Sequence, residues 1–125
     1  MYNGIIRIRT KASILSIPDP AVCHWMGYKN SLLVLAAYEG DELLGIIRVV
    51  GDGYTIVFIQ DILVFPSKQR EGIGTALIKA VLEKYSDVRQ IELTTDNTDK
   101  TVSFYKSLGF TEFSEIGCCG FMRGY

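Results

Sequence analysis

The chain predicts a mixed α/β (α+β) fold: an antiparallel meander that gives way to β-α-β-α-β. Two observations carry this. Between residues 32 and 64, short apolar runs are separated by tight glycine-bearing turns. From Ile73 the pattern changes period, with Ile73, Leu77, Val81 and Tyr85 recurring every four residues and Ile78 and Leu82 beside them, as one face of a helix. A sheet of mixed direction needs helices to cover it, so the two patterns belong to one layered fold.

Taken in order, Gly4 to Arg9 alternates as a first strand. Pro18 and Pro20 break any long helix between Lys11 and Asn30, leaving loop with one helical turn near Ala21 to Met26. Leu32 to Tyr38 and Leu43 to Val50 are strands joined at Glu39-Gly40-Asp41-Glu42. Gly51-Asp52-Gly53 turns the chain into Tyr54 to Val64, whose end, FIQDILVF, is dense in β-branched and aromatic residues and closed by Pro66. The helix Ile73 to Tyr85 follows, then a strand from Arg89 to Thr95 and a helix from Thr98 to Leu108. Asp96, Asn97 and Thr98 offer capping oxygens before that helix, and Gly109 stands past its end as a left-handed stop. Further strands are expected near Thr111 to Ile116 and Cys119 to Arg123.

A length of 125 residues suits a single domain, 1–125, with a real core. With 48% hydrophobic and 22% charged residues the composition is globular. A net charge of −1 and a pI near 5.8 speak against a nucleic-acid-binding surface. No apolar run approaches the ~20 residues that cross a bilayer. The opening MYNGIIRIRTK intersperses arginines among its apolar residues, unlike a signal peptide, so the expected setting is cytoplasmic, with no membrane partner. Cys23, Cys118 and Cys119 fit neither a zinc site nor a disulfide framework and are expected as buried or half-buried thiols; no metal is expected. His24 and Trp25 are expected to pack or line a pocket.

The chemistry concentrates at Gln69-Arg70-Glu71-Gly72-Ile73-Gly74-Thr75, a glycine-flanked basic turn that opens a helix directly after a strand. The first amides of a helix have no intrahelical partner, and the dipole adds positive potential where they point. Such a turn can cradle a phosphate. It is not a Walker loop, since no lysine follows Gly74, and not a dinucleotide fingerprint, since Leu77 stands where the third glycine would be. A turn whose glycines serve only geometry is the alternative.

A second segment, TVSFYKSLGF at 101–110, lies downstream across a strand. Together the two segments resemble the GNAT superfamily of acyl-CoA N-acyltransferases. The acetyl-CoA signature Gln/Arg-x-x-Gly-x-Gly/Ala is matched by Gln69, Gly72 and Gly74, and the aromatic-Tyr-x-x-x-Gly-Phe pattern by Phe104, Tyr105, Gly109 and Phe110, in the family's order. The resemblance implies a GNAT-type sheet, mostly antiparallel with a central parallel strand pair flanked by helices. It implies acetyl-CoA as acyl donor, with the amides of Gln69 to Thr75 on the pyrophosphate and Arg70 and Lys68 near phosphate oxygens. Backbone groups of Ile62, Leu63 and Val64 would pair with the pantetheine arm where the strands holding 58–64 and 89–95 splay apart, and an amide at Leu63 or Val64 would face the developing oxyanion. Phe104 and Asn97 would contact the cofactor, although Asn97 could instead cap its helix.

By the same resemblance Tyr105 is the general acid, donating to the departing thiolate; its competing reading is the apolar face of its helix. Asp61, a carboxylate inside an apolar strand, is the expected base, or else a structural group if it faces the helices. Strand alternation puts Gln60 and Asp61 on opposite faces. Glu92 and Asp96 are weaker alternates. No residue suits an acyl-enzyme, so the expected reaction is direct attack by a primary amine, small-molecule, peptide or protein, in a ternary complex. Relatives usually place two helices between the first two strands; the short stretch here implies an open acceptor pocket or a homodimer that closes it. The alternative function is a non-catalytic acyl-CoA-binding module.

Overall fold

The structure, a computed structural model, describes residues 7–10, 22–69 and 72–124. The chain forms two compact units, residues 1–94 and 95–125.

The first unit holds a five-stranded sheet in sequence order. Strands β1 (Arg7–Thr10), β2 (Leu33–Glu39), β3 (Glu42–Gly51) and β4 (Ile56–Val64) pair antiparallel, and β5 (Gln90–Leu93) runs parallel to β4. Helix α1 (Val22–Lys29) precedes β2, and α2 (Ile73–Lys84) makes the crossover from β4 to β5. The α1 helix is longer than the single turn expected, and its end is secured locally. The Asn30 amide and Asn30 Nδ2 both donate to the Met26 carbonyl, and Ser31 Oγ donates to Gly27. The expected strand residues 4–6 and helical residue Ala21 lie outside the described residues.

From Leu33 to Tyr38 every residue of β2 is buried, as in a strand covered on both sides. On one side Val34, Ala36 and Tyr38 pack with Tyr28 of α1, Leu43 and Ile46. On the other, α2 lies against β2, β3 and β4 with Ile73, Leu77, Ile78 and Val81 at most 1% exposed. The four-residue recurrence in the sequence is therefore the buried stripe of α2. Among the described residues, no helix is long and apolar enough to cross a membrane.

Turn chemistry sets the hairpins. Gly40 is left-handed at φ 57° between β2 and β3. Between β3 and β4, Asp52 Oδ1 accepts the amides of Tyr54, Thr55 and Ile56 and Oδ2 accepts from Thr55 Oγ1, an aspartate-capped turn flanked by left-handed Gly53. These bonds hold the exposed Asp52 carboxyl far below its ordinary range.

The second unit carries α3 (Asp99–Ser107), a 3₁₀ turn at Phe113–Ile116 and an extended tail. The strands expected near 111–116 and 119–123 do not form among the described residues. The Phe113 carbonyl accepts from the amides of Gly117 and Cys118, and Gly117 is left-handed, so local bonds consume groups that a ladder would need. Among the described residues no strand lies beyond β5, so there the parallel pair β4–β5 stands at one end of the strand order. Cys118 and Cys119 are free and exposed, not buried as expected. The side chains of Cys23, His24 and Trp25 lie outside what the structure describes.

Candidate functional site

The pairing of β4 is unequal on its two sides. Against β3 it runs the whole way, from Val57 opposite Gly51 to Val64 opposite Gly45. Against β5 it ends at Ile59 opposite Leu93. The break coincides with a bulge: Val49 pairs with Ile59 and the next residue back, Arg48, with Asp61, so Gln60 is an extra residue in β4. A bulge bends a strand and increases its twist; Leu93 is the last residue of β5, and residues 60–64 have no partner in it. Alternation does not hold across it. Ile59 and Ile62 stand opposite Val49 and Ile47, which share a face, so strict alternation is interrupted once between Ile59 and Asp61.

Beyond the bulge, the backbone has a definite orientation. The Phe65 amide donates to the Leu44 carbonyl, and the Leu63 carbonyl points at Gly45, where a Cβ would lie 2.7 Å from it. Leu63 and Phe65 thus turn their polar groups toward β3, and alternation turns those of Ile62 and Val64 to the side that β5 has left. Gln69 Nε2 donates to the Val64 carbonyl at 3.2 Å, pinning the loop back onto the end of the strand. Of the three residues expected on the open edge, Ile62 and Val64 present backbone there. Leu63 presents an exposed side chain and spends its backbone on β3.

The loop then reaches α2 through a 3₁₀ turn at Pro66–Lys68. Gly72 is the N-cap residue at φ 85°, a conformation that favours glycine, and among the described residues no side chain caps the helix. The first intrahelical bond runs from the Ala76 amide to the Gly72 carbonyl, so the amides of Ile73, Gly74 and Thr75 lie ahead of the helical ladder. A Cβ on Gly72 would meet nothing within 4 Å. One on Gly74 would make ordinary contacts of 3.8 Å with Ile62 and Val64, so the protein's own packing does not demand glycine at 74. Lys68 is engaged at long range with Glu42, 3.9 Å away. Arg70 and Glu71 lie outside the described residues.

Asp61 is not a free carboxylate. Arg48 Nε donates to its Oδ2 at 2.7 Å, while Arg48 Nη1 donates to Ser31 Oγ at 3.3 Å and the guanidinium lies 5.2 Å from the centre of the Tyr28 ring. The residue that sequence reasoning missed is Arg48. Its signal, a charge inside the apolar run LLGIIRVV, is the same one that singled out Asp61 in the neighbouring strand. Glu92, the alternate acid, accepts from Gln90 Nε2.

In the second unit, the aromatic-Tyr-x-x-x-Gly-Phe pattern has a local structural meaning. The Phe110 amide donates to the Tyr105 carbonyl and the Gly109 amide to the Lys106 carbonyl, with Gly109 at φ 94°. This is a Schellman stop, and its characteristic apolar contact is the edge-to-face pair of Tyr105 and Phe110 at 5.8 Å. Phe104 packs on Tyr105 at 5.1 Å. The ring is thus explained by packing, and the hydroxyl is left over: among the described residues it makes no hydrogen bond. Burial, and then the Asp96 carboxylate, push the phenol above its usual value of 10.0, so it stays protonated at neutral pH. Asp96 itself is lowered by its bonds from Thr98, Thr95 and Thr101. Thr98 is the N-cap, accepting from the Thr101 amide, so capping does not employ Asn97, which makes no hydrogen bond among the described residues. There too, no group of three metal-binding side chains occurs.

Known proteins share this architecture. Residues 19–119 match the family model described as "Acetyltransferase (GNAT) domain". A GNAT-family acetyltransferase structure from Streptococcus pneumoniae TIGR4 is 34% identical, with a TM-score of 0.84 over 97% of this chain and 98% of that one. The histone acetyltransferase TAP1 of Glycine max is 34% identical over 66% of this chain, which spans only 40% of that protein. The structure of AAC(6')-Iy in complex with the bisubstrate analogue CoA-S-monomethyl-acetylneamine shares the fold, at 17% identity and a TM-score of 0.69 over 98% of this chain and 99% of that one. The match to the family model over residues 19–119, with a 34% identical relative covered almost from end to end on the same sheet, places the chain in the GNAT acetyltransferase domain family.

Proposed function

We propose that the chain is an acetyl-CoA-dependent N-acetyltransferase that passes the acetyl group directly to a primary amine in a ternary complex. The observation that supports the reading is the edge of β4 beyond Gln60, which β5 does not pair among the described residues, followed by a helix that begins at left-handed Gly72. The residues fit a pantetheine diphosphate: an extended amide arm can add to a strand edge, and a diphosphate suits helical amides with no partner. The backbone groups of Ile62 and Val64 would hold the arm, and the amides at 72–75, with Gln69, Arg70 and Glu71 on the loop, would hold the diphosphate. Bound there, the thioester supplies an activated acetyl group.

Tyr105 is the proton donor to the departing thiolate: its phenol is protonated at neutral pH, and a hydrogen bond from it to sulfur would stabilise the charge that develops there. Asn97 and Phe104 are cofactor contacts in the same reading. The acceptor is a primary amine, a reading supported by the histone acetyltransferase among the relatives and by the acetylneamine analogue bound to the AAC(6')-Iy fold neighbour. Asp61, already engaged by Arg48, is given a different task below.

The test is release of free CoA thiol from acetyl-CoA over a panel of monoamines, polyamines and lysine peptides. Thiol release with at least one amine is expected. Tyr105→Phe should lower turnover while acetyl-CoA affinity holds. A protein that binds acetyl-CoA and releases no thiol with any amine would be the non-catalytic binding module instead.

A further inference from the structure

We infer that Arg48 is the positioning residue of this site: through Asp61 it holds the bulge at Gln60, and with it the register of the strand edge that the coenzyme would use. The inference rests on the function proposed above. It starts from what a bulge costs. One extra residue in β4 must be kept in place, since a slip of one position would move every later side chain to the other face. The ion pair is placed where it can prevent that slip. Arg48 and Asp61 are the first partners beyond the bulge, directly opposite one another, while their neighbours Val49 and Ile59 are the last before it.

A slip would leave Arg48 facing Gln60 or Ile62, and both charges would lose their partner. The Arg48 side chain is only 16% exposed and that of Asp61 35%, so water would replace the bond poorly. The same guanidinium also reaches Ser31 Oγ and the Tyr28 ring, tying the end of α1 to this point of the sheet. Asp61 is then the anchor of a clamp, and its carboxylate is spent on geometry and not on the proton of the amine.

Calorimetric titration with acetyl-CoA tests this, together with hydrogen exchange at the β4 amides that face β3, Phe65 among them. Arg48→Met should weaken acetyl-CoA binding about tenfold and speed exchange after Gln60. Asp61→Asn keeps an oxygen for Arg48 Nε and should stay within about twofold of wild type in affinity. The double variant Arg48→Met/Asp61→Leu buries no unpaired charge; it should recover melting temperature yet keep the weakened binding and fast exchange. It also decides the matter if the single variant fails to fold. Recovery of both stability and affinity by the double variant, or wild-type affinity in Arg48→Met, overturns the inference. So does an Asp61→Asn protein that binds acetyl-CoA normally but loses turnover, because Asp61 would then handle a proton. If the wild-type protein itself binds no acetyl-CoA, the proposed function fails separately, and unchanged exchange at Phe65 in Arg48→Met would then refute the clamp.

Discussion

In the unit up to residue 94, Leu44, Ile47, Val49, Val57, Leu77, Ile78 and Val81 are all at most 1% exposed and come from three different elements. In the unit from residue 95, α3 buries no residue, and its order comes from neighbours in the chain. Thr98 caps the start, Gly109 and Phe110 close the end, and Lys106 bridges to Glu112 and Glu115. One unit is held by contacts between distant segments and the other by devices a few residues long. Hydrophobic burial scales with area and gathers many segments at once, whereas a cap or a surface ion pair is worth a fraction to about one kcal/mol.

That contrast can be broken or sharpened by substitution. The largest effect should come from Leu77→Ala in the middle of the α2 stripe, a destabilisation of about 3 kcal/mol in denaturant unfolding, from lost burial and a cavity. A loss below ~1 kcal/mol would show that α2 is not integral to the core. Next is Gly45→Ala. The new Cβ would lie 2.7 Å from the Leu63 carbonyl oxygen, a backbone atom that cannot swing aside, so β3 and β4 must part at a cost of about 2 kcal/mol. Because this push falls beyond the bulge, acetyl-CoA affinity should fall as well, and unaltered affinity would detach the strand edge from binding.

Gly109→Ala acts on the local side of the comparison. Alanine at φ 94° is strained, and about 1 kcal/mol should be lost, read as faster hydrogen exchange at the Phe110 amide. No acceleration there would mean that α3 does not depend on its glycine stop. The smallest effect belongs to Asp52. Its folded pKa is depressed below the ordinary 3.8, so its stabilising contribution is present above that value and is lost as pH falls through the acid range. Melting temperature should drop as pH falls below about 4, and less steeply in Asp52→Asn; equal slopes would remove the turn from the acid response.

Legibility followed the same division. The glycine turn at 40, the α2 stripe, the Thr98 cap and the Gly109 stop are all decided within a few residues, and all are visible in sequence. The pair of family motifs was legible for the same reason, each being a helix terminus with its adjoining turn. The bulge at Gln60 was not, because nothing in FIQDILVF marks which residue is extra; that is settled by the register of β3. The role of Arg48 was hidden likewise, since its partner lies thirteen positions away across a strand pair. The two strands expected after residue 110 show the opposite error. Short apolar runs satisfied the pattern, but glycine at 117 and the Phe113 carbonyl closed a local turn first.

Sequence alone carried the period of β2, β3 and α2, the Thr98 start and Gly109 stop of α3, and a helix whose leading amides have no carbonyl before them. Those properties come from φ, side-chain spacing and bonds between near neighbours, which a chain carries wherever it goes. The tertiary structure was needed to show that β4 has no partner in β5 after Ile59, that Ile62 and Val64 turn their backbone to that side, and that Asp61 is held by Arg48. Register between strands is a relation among distant residues, chosen by which alignment buries both faces and pairs both charges.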